Sequence, residues 1–277
     1  MKVKEQSRRN KPGRFDPDPE NGKSTPVCPV CESRQSFVAF RLTDRLGAES
    51  AGYSLFRCKS CSLLFLEPGI SAESIHGFYP DGYWWKEEGR FSSLEKAYRE
   101  WILRWDHVRY LLHLFPEPKG LRLLDVGCGN GLFVKQARQR GFDAWGLESS
   151  PEAVAVARNE GLRTVICGSI EEPEDLEGKF DIVTLFHCLE HLPDPGRFLK
   201  RLKNFFRPPG HLILQVPNTA SLQARLFGPG WYGLDCPRHL CNFEEKSLSL
   251  LLKRNGFRIE KVRHFSLRDN AAALASS

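Results

Sequence analysis

No apolar run in this chain approaches the roughly 18 residues that a membrane-spanning helix needs, which excludes a single bilayer-crossing helix. No charged and then apolar leader opens the sequence, and that absence points away from a secreted fold stapled by disulfides. A large charge excess is missing too: 40 Lys and Arg face 34 Asp and Glu, a formal net charge of +6. Lys2, Lys4, Arg8, Arg9, Lys11 and Arg14 crowd into the amino-terminal tail, so the charge is weak ground for a nucleic-acid partner. The tail, residues 1–26, has the composition of a disordered segment. Hydrophobic residues at 41% and charged residues at 27% belong to a soluble globular protein, and 277 residues suffice for one substantial domain and a small one.

Nine cysteines are present, and four of them are paired by spacing. Cys28-Pro29-Val30-Cys31 and Cys58-Lys59-Ser60-Cys61 are C-x-x-C knuckles separated by 26 residues. Four thiolates in two close pairs surround one tetrahedral Zn²⁺ well, so Cys28, Cys31, Cys58 and Cys61 are the expected metal ligands. A redox C-x-x-C or a pair of disulfides fits less well. Residues Phe37 to Phe56 fill the gap as a hairpin, with Gly47 and Gly52 near its turn. A unit of this size, residues 27–67, buries little apolar surface, and metal would supply the missing stability. Single cysteines such as Cys128, Cys167 and Cys188 suggest a reducing cytoplasm.

The densest signal is Leu121-Arg122-Leu123-Leu124-Asp125-Val126-Gly127-Cys128-Gly129-Asn130-Gly131. An apolar run reads as a buried parallel strand, and three glycines at alternate positions allow a sharp turn and close approach of a ligand. Leu132 to Arg138 then opens a helix whose amino terminus faces that ligand. A dinucleotide loop would read G-x-G-x-x-G with an acid some 20 residues on, which fits less well. Asp143-Ala144-Trp145-Gly146-Leu147-Glu148 is a second short strand ending in a carboxylate, 17 positions after Gly131. A strand–helix–strand unit sets Glu148 beside the glycine loop at the carboxyl edge of the sheet. Ser150 and Pro151 form a helix start. Arg163 to Glu171 reads as a third strand and turn, and Phe180 to Phe186 as a fourth, followed by His187-Cys188-Leu189-Glu190-His191-Leu192-Pro193-Asp194-Pro195.

D-x-G-x-G-x-G after a strand, together with the L-E-H-L-x-D-P string, resembles the class I S-adenosylmethionine (SAM) methyltransferases over Gly120 to Asn270. The resemblance implies an α/β, doubly wound, Rossmann-like sheet. It implies that Asp125, Gly127, Cys128, Gly129 and Gly131 cradle the methionine part of SAM. Glu148, with Ser149 beside it, would take the ribose, Ser169 and Ile170 the adenine, and Phe186 and His187 would flank the cofactor. Relatives often carry aspartate at the position of Ser169. Glu190 and His191 read equally as a local pair that fixes the loop and as a catalytic pair.

Phe56 to Leu66 resembles the second knuckle of zinc-ribbon methyltransferases, which commonly act on sugars or natural-product intermediates. That implies a small-molecule methyl acceptor, with no membrane partner and nucleic acid disfavoured. An RNA methyltransferase and a non-catalytic SAM-binding protein are the alternatives. Between the modules, residues 68–118 read as a helical connector or lid. A capping box at Ser92 to Glu95 leads into a stripe from Leu94 through Trp101, Val108 and Leu111, and Tyr83, Trp84 and Trp85 are available to the pocket. Residues 119–277 form the SAM-binding domain. His211 to Asn218 reads as its fifth strand, followed by a long loop containing Pro237-Arg238-His239-Leu240. That string resembles the substrate loop of the zinc-ribbon enzymes, and His239 is the expected general base. A helix from Glu244 to Asn255 and a sixth strand from Arg258 to Ser266 follow. The seventh, last strand of the family sheet is missing from the sequence pattern.

Overall fold

The computed structural model describes residues 25–46, 52–67, 69–70, 76–78, 101, 104–170, 176 and 178–264. The basic tail, Gly47, the capping box at Ser92, the trio Tyr83 to Trp85 and everything after residue 264 lie outside the described residues.

Two sheets carry the structure. The first is antiparallel: β1 (Ser36–Thr43), β2 (Gly52–Cys58) and β3 (Leu64–Glu67), in that order. β1 and β2 are the expected hairpin, with Gly52 opening the return strand. The second is a parallel five-stranded sheet built from β4 (Arg122–Val126), β5 (Asp143–Glu148), β6 (Val165–Cys167), β7 (Phe180–Phe186) and β8 (Phe206–Gln215). Its order is β6-β5-β4-β7-β8. The chain therefore reverses direction across the sheet between β4 and β7, the place where ligands lodge in open α/β sheets.

Successive residues along the central strands face opposite layers, as the strand period of two requires. Leu123 and Ile182 pack with the helices α1 (Arg109–Leu114), α2 (Leu132–Gln139) and α3 (Pro151–Asn159). Leu124 and Val183 pack on the other face with α4 (Pro195–Leu202) and α6 (Glu245–Arg254), and with the cysteine knuckles. The short α5 (Leu222–Phe227) lies in the loop between β8 and α6. This is the Rossmann-like α/β arrangement expected. Local signals act where they stand: Ser150 caps α3 by accepting from the Ala153 amide at 3.2 Å, with Pro151 behind it. Asp194 of the L-P-D-P turn caps α4 the same way, accepting from Arg197 at 2.8 Å.

Three expectations change. β8 begins at Phe206 and ends at Gln215, so Val216 to Asn218 lie beyond it. Residues 258–264 pair with no strand, so the expected sixth strand is absent among the described residues. Trp101, placed on the connector's core stripe, is 50% exposed, whereas Val108 and Leu111 are buried. The α1 segment is entered through a π-turn, Arg104–Val108, which departs from the helical period and turns Asp106 and His107 inward instead.

A finding with consequences for the site is β9 (Cys241–Asn242), which comes from the loop after β8 and completes the antiparallel sheet beside β3. Among the described residues no helix is long and apolar enough to cross a membrane.

Candidate active site

The glycine loop leaves β4 through three left-handed glycines, with φ of 73°, 55° and 75° at Gly127, Gly129 and Gly131. A side chain at Gly131 would meet Leu162 at 2.9 Å and Val165 at 3.0 Å, so this glycine lets the turn seat on the next βα unit. At Gly129 a side chain would meet no atom within 4 Å, so there glycine keeps open space above the backbone. Glu148 closes the loop from the end of β5. Its Oε2 accepts from the Gly129 amide at 2.8 Å and its Oε1 from the Ser150 amide at 2.9 Å. Ser149 Oγ stands 3.4 Å from Oε1. A carboxylate has about four acceptor sites, so these bonds fix its orientation and leave lone pairs for vicinal hydroxyls.

Other predicted cofactor residues take less direct positions. Asp125 is 4% exposed, and its Oδ1 accepts from Thr184 Oγ1 at 2.6 Å. Burial raises its pKa to about 7 against the lowering effect of the Thr184 bond, and nearby Glu148 adds to the rise. Cys128 points into the core, where burial pushes its thiol up, so only its backbone belongs to the loop surface. Ser169 and Ile170 follow β6 at the same sheet edge, with Ser169 half-buried and Ile170 in the core.

Phe186 ends β7 and stacks on His107 with ring centroids 4.1 Å apart and planes at 2°. His187 follows with φ of 54°, a left-handed conformation rare for a non-glycine residue and common at ligand sites. His107, Gln215 and His187 form a polar line: Gln215 lies 3.0 Å from His107 Nε2 and 3.2 Å from His187 Nε2. Neither His107 nor Gln215 was picked out by sequence reasoning. The inward turn of His107 depends on the π-turn, which no residue pattern announces.

The line continues into the L-E-H turn. His187 Nδ1 stands 3.4 Å from Glu190 Oε1. Glu190 is 1% exposed; burial pushes its pKa up, but His187, His191 and His239 together outweigh this and hold it at about 2. Burial, then His239, lowers His191 to about 4. The rings of His191 and His239 meet edge to face at 4.7 Å. Thus His239, on the loop 48 residues beyond His191, joins the turn directly after β7.

Arg238 holds that loop in place. It is fully buried, binds both oxygens of Asp235 at 2.7 and 3.0 Å, and donates to Asp44 of the hairpin at 2.9 Å and to the Phe78 carbonyl at 3.0 Å. Burial acts to lower its pKa, yet the Asp235 and Asp44 bonds raise it, so it stays charged. Backbone bonds run from Leu66 to the Leu240 carbonyl and from Leu240 to the Glu190 carbonyl, so the loop is stitched to β3 on one side and to the L-E-H turn on the other.

The four knuckle cysteines come together. Cys28 and Cys61 sulfurs lie 3.6 Å apart, and Cys31 and Cys58 3.4 Å. Ligands at about 2.3 Å around one tetrahedral Zn²⁺ would be roughly 3.8 Å apart, so the set fits that ion with little change. The knuckles are near copies: Glu32 and Ser62 donate back to the Cys28 and Cys58 carbonyls at 2.9 Å, and each has a left-handed φ. The Cys61 sulfur beside it brings the Cys28 thiol down to about 5, and the same contact pushes Cys61 up. Arg254 of α6 ties the first knuckle to the parallel-sheet domain through the Val30 carbonyl and Glu32.

Residues 94–262 match the family described as methyltransferase domain. The chain belongs to that family. Among curated proteins it is 30% identical over 158 residues to a ubiquinone biosynthesis O-methyltransferase of Xanthomonas axonopodis pv. citri (strain 306), covering 53% of this chain and 66% of that one. It is 33% identical over 141 residues to the protein of the same name from Xanthomonas oryzae pv. oryzae (strain PXO99A), covering 49% and 56%. The chain thus spans less than two thirds of the length of these relatives. Among solved structures, magnesium protoporphyrin IX methyltransferase from Synechocystis PCC 6803 with bound SAH aligns at a TM-score of 0.49 and 20% identity, covering 65% of this chain and 83% of that one.

Proposed function

We propose that this methyltransferase-family protein moves a methyl group from SAM to a hydroxyl of a small-molecule acceptor, a sugar or a natural-product intermediate. The observation that carries the reading is the Glu148 carboxylate locked across the glycine loop by the Gly129 and Ser150 amides. The ribose hydroxyls donate to its remaining lone pairs. The loop around Gly127, Cys128, Gly129 and Gly131 receives the methionine part. Asp125 supports this loop from beneath, through Thr184. Ser149 lies by the ribose, Ser169 and Ile170 by the adenine, and Phe186 and His187 along the cofactor's flank.

The acceptor belongs on the side of the L-E-H turn. Its oxygen forms a bond to the methyl carbon as the carbon–sulfur bond breaks, the electron pair staying on sulfur. Alignment of the two reactants supplies most of the rate. His239 is assigned the catalytic role. Its Nδ1 faces the Gly233 carbonyl at 2.9 Å and must donate there, so its Nε2 carries the lone pair that draws off the acceptor's proton. Cys28, Cys31, Cys58 and Cys61 are assigned to a structural Zn²⁺ that stabilises the ribbon. The free thiols point to a reducing, cytoplasmic setting.

The test is methyl transfer from isotopically labelled SAM to panels of phenols, nucleotide sugars and mixed RNA, read by mass spectrometry. Label in a hydroxylated small molecule is expected. His239→Ala should lower turnover by about 10²–10⁴-fold while SAM still binds. Label in RNA alone, or no SAM binding by folded protein, would overturn the proposal.

A further inference from the structure

Apart from the four cysteines, one other set of side chains among the described residues converges as metal ligands do. Glu190, His191 and His239 each offer one ligand atom, all within 4.8 Å of one another. Neither oxygen of Glu190 has a hydrogen-bond partner, although the side chain is 1% exposed. A buried carboxylate without hydrogen bonds is costly, and an ion is one of the few things that resolves the cost. His187 Nδ1 stands 3.4 Å from Oε1 of Glu190.

The two rings are held as metal-binding imidazoles are held. His191 Nδ1 faces the Arg238 carbonyl at 3.0 Å, and His239 Nδ1 faces the Gly233 carbonyl at 2.9 Å. A carbonyl accepts only, so each Nδ1 carries the proton and each Nε2 a lone pair. That is the tautomer which a backbone carbonyl imposes on zinc-bound histidines. The Arg238 clamp holds the first of these carbonyls, which is its own, and its partner Asp235 accepts from the His239 amide through its backbone carbonyl.

We propose that Glu190, His191 and His239 form a binding site for one divalent first-row transition-metal ion, with Zn²⁺ the best match to a His₂Glu set that leaves a coordination position open. Ligands of a tetrahedral ion lie about 3.4 Å apart, so closure takes side-chain rotation on the order of 1 Å. Cys188 of the same turn lies 3.2 Å from where a side chain on Gly127 would begin, so the site borders the glycine loop. The open position faces the acceptor, a point that rests on the methyl-transfer reading. With the ion bound, His239 would hold the metal through Nε2 in place of acting as the base, and the ion would lower the pKa of the acceptor hydroxyl, whose proton would pass to solvent; base catalysis by His239 then describes the metal-free protein.

The test uses the full chain as purified, loaded with Co²⁺ or Zn²⁺ and freed of excess metal by gel filtration. Elemental analysis should give two equivalents in the wild type and one in Glu190→Gln. Calorimetric Zn²⁺ affinity at the second site should fall at least 100-fold in that variant. In the wild type, the second Co²⁺ equivalent should add ligand-field absorption without thiolate charge transfer, a readout independent of whether any variant folds. A Co²⁺ titration that ends after the thiolate-type equivalent would overturn the proposal, as would a second equivalent that survives both Glu190→Gln and His239→Ala. Absence of methyl transfer with the second ion bound would count against the proposed function and leave the metal site standing. A single equivalent lacking thiolate bands would refute the ribbon zinc and support this site.

Discussion

The edges proposed here for cofactor and acceptor are built in different ways. The cofactor edge is local. Its glycine loop, its helix start and Glu148 lie within a stretch of 30 residues, and its decisive bonds join a side chain to backbone amides 19 and 2 positions away. The acceptor edge is assembled over long range. Arg238 reaches Asp44 across 194 positions, and β9 joins a sheet whose other strands precede residue 68. The ribbon is therefore more than an appendage: its sheet and its Asp44 hold the loop that carries His239. The contrast implies that damage to the ribbon should disable the acceptor edge and spare the cofactor edge.

The strongest way to break the comparison is to remove the ribbon's metal ligands. Cys58→Ser with Cys61→Ser should abolish the zinc site proposed for the knuckles; structural zinc supplies on the order of 10–16 kcal/mol in small zinc-dependent units. Hydrogen exchange should then show lost protection in residues 27–67 and also in β9, with β4 to β7 still protected. Next comes Arg238→Ala, which leaves the buried Asp44 and the half-buried Asp235 without their cation. A loss of about 3–5 kcal/mol in chemical denaturation is expected, together with reduced turnover. Because Arg238 bonds both oxygens of Asp235, substitutions at the two should be non-additive, which a double-mutant cycle would show.

A pH experiment sharpens the cofactor side. Asp125 is raised in the folded state to about 7, so between its unfolded value near 4 and that value the native protein holds a proton that the unfolded chain has lost. Its contribution is fully present below about pH 4 and lost as pH rises through 7. Asp125→Asn should remove that slope, leaving the variant the more stable protein at pH 8 by thermal denaturation, provided the Thr184 bond is kept. Persistence of the slope in the variant would assign it to another group. The smallest effect is expected from Lys135, whose ion pair with Glu160 is about 40% exposed on both sides. Lys135→Ala should cost no more than about 1 kcal/mol.

Much of the cofactor edge was legible in the residue pattern because its signals are local. The glycines, the Ser150-Pro151 cap and the strand ending at Glu148 each act within a few residues of where they stand. The two C-x-x-C knuckles were legible for the same reason. The acceptor edge was legible only in part. His239 stood out through its motif, but its contact with His191 depends on a loop path that nothing near residue 239 encodes. Asp44 is an ordinary hairpin aspartate until Arg238 arrives. His107 was hidden because the π-turn shifts the helical period and buries a polar face where an apolar stripe was expected. The sixth strand was misread at 258–266 because the apolar residues Ile259 and Val262 meet no strand edge among the described residues.

The central claim, that SAM is held by the cofactor edge alone, is tested most directly by calorimetric titration of SAM into three proteins. These are the wild type, the Cys58→Ser, Cys61→Ser protein, and Glu148→Ala. Binding to the first two is expected with affinities within a few-fold, and a loss of about 1.5–3 kcal/mol in the third, the range for hydrogen bonds to a charged group. Loss of binding in the cysteine variant while its parallel sheet remains folded, or unchanged binding in Glu148→Ala, would contradict it.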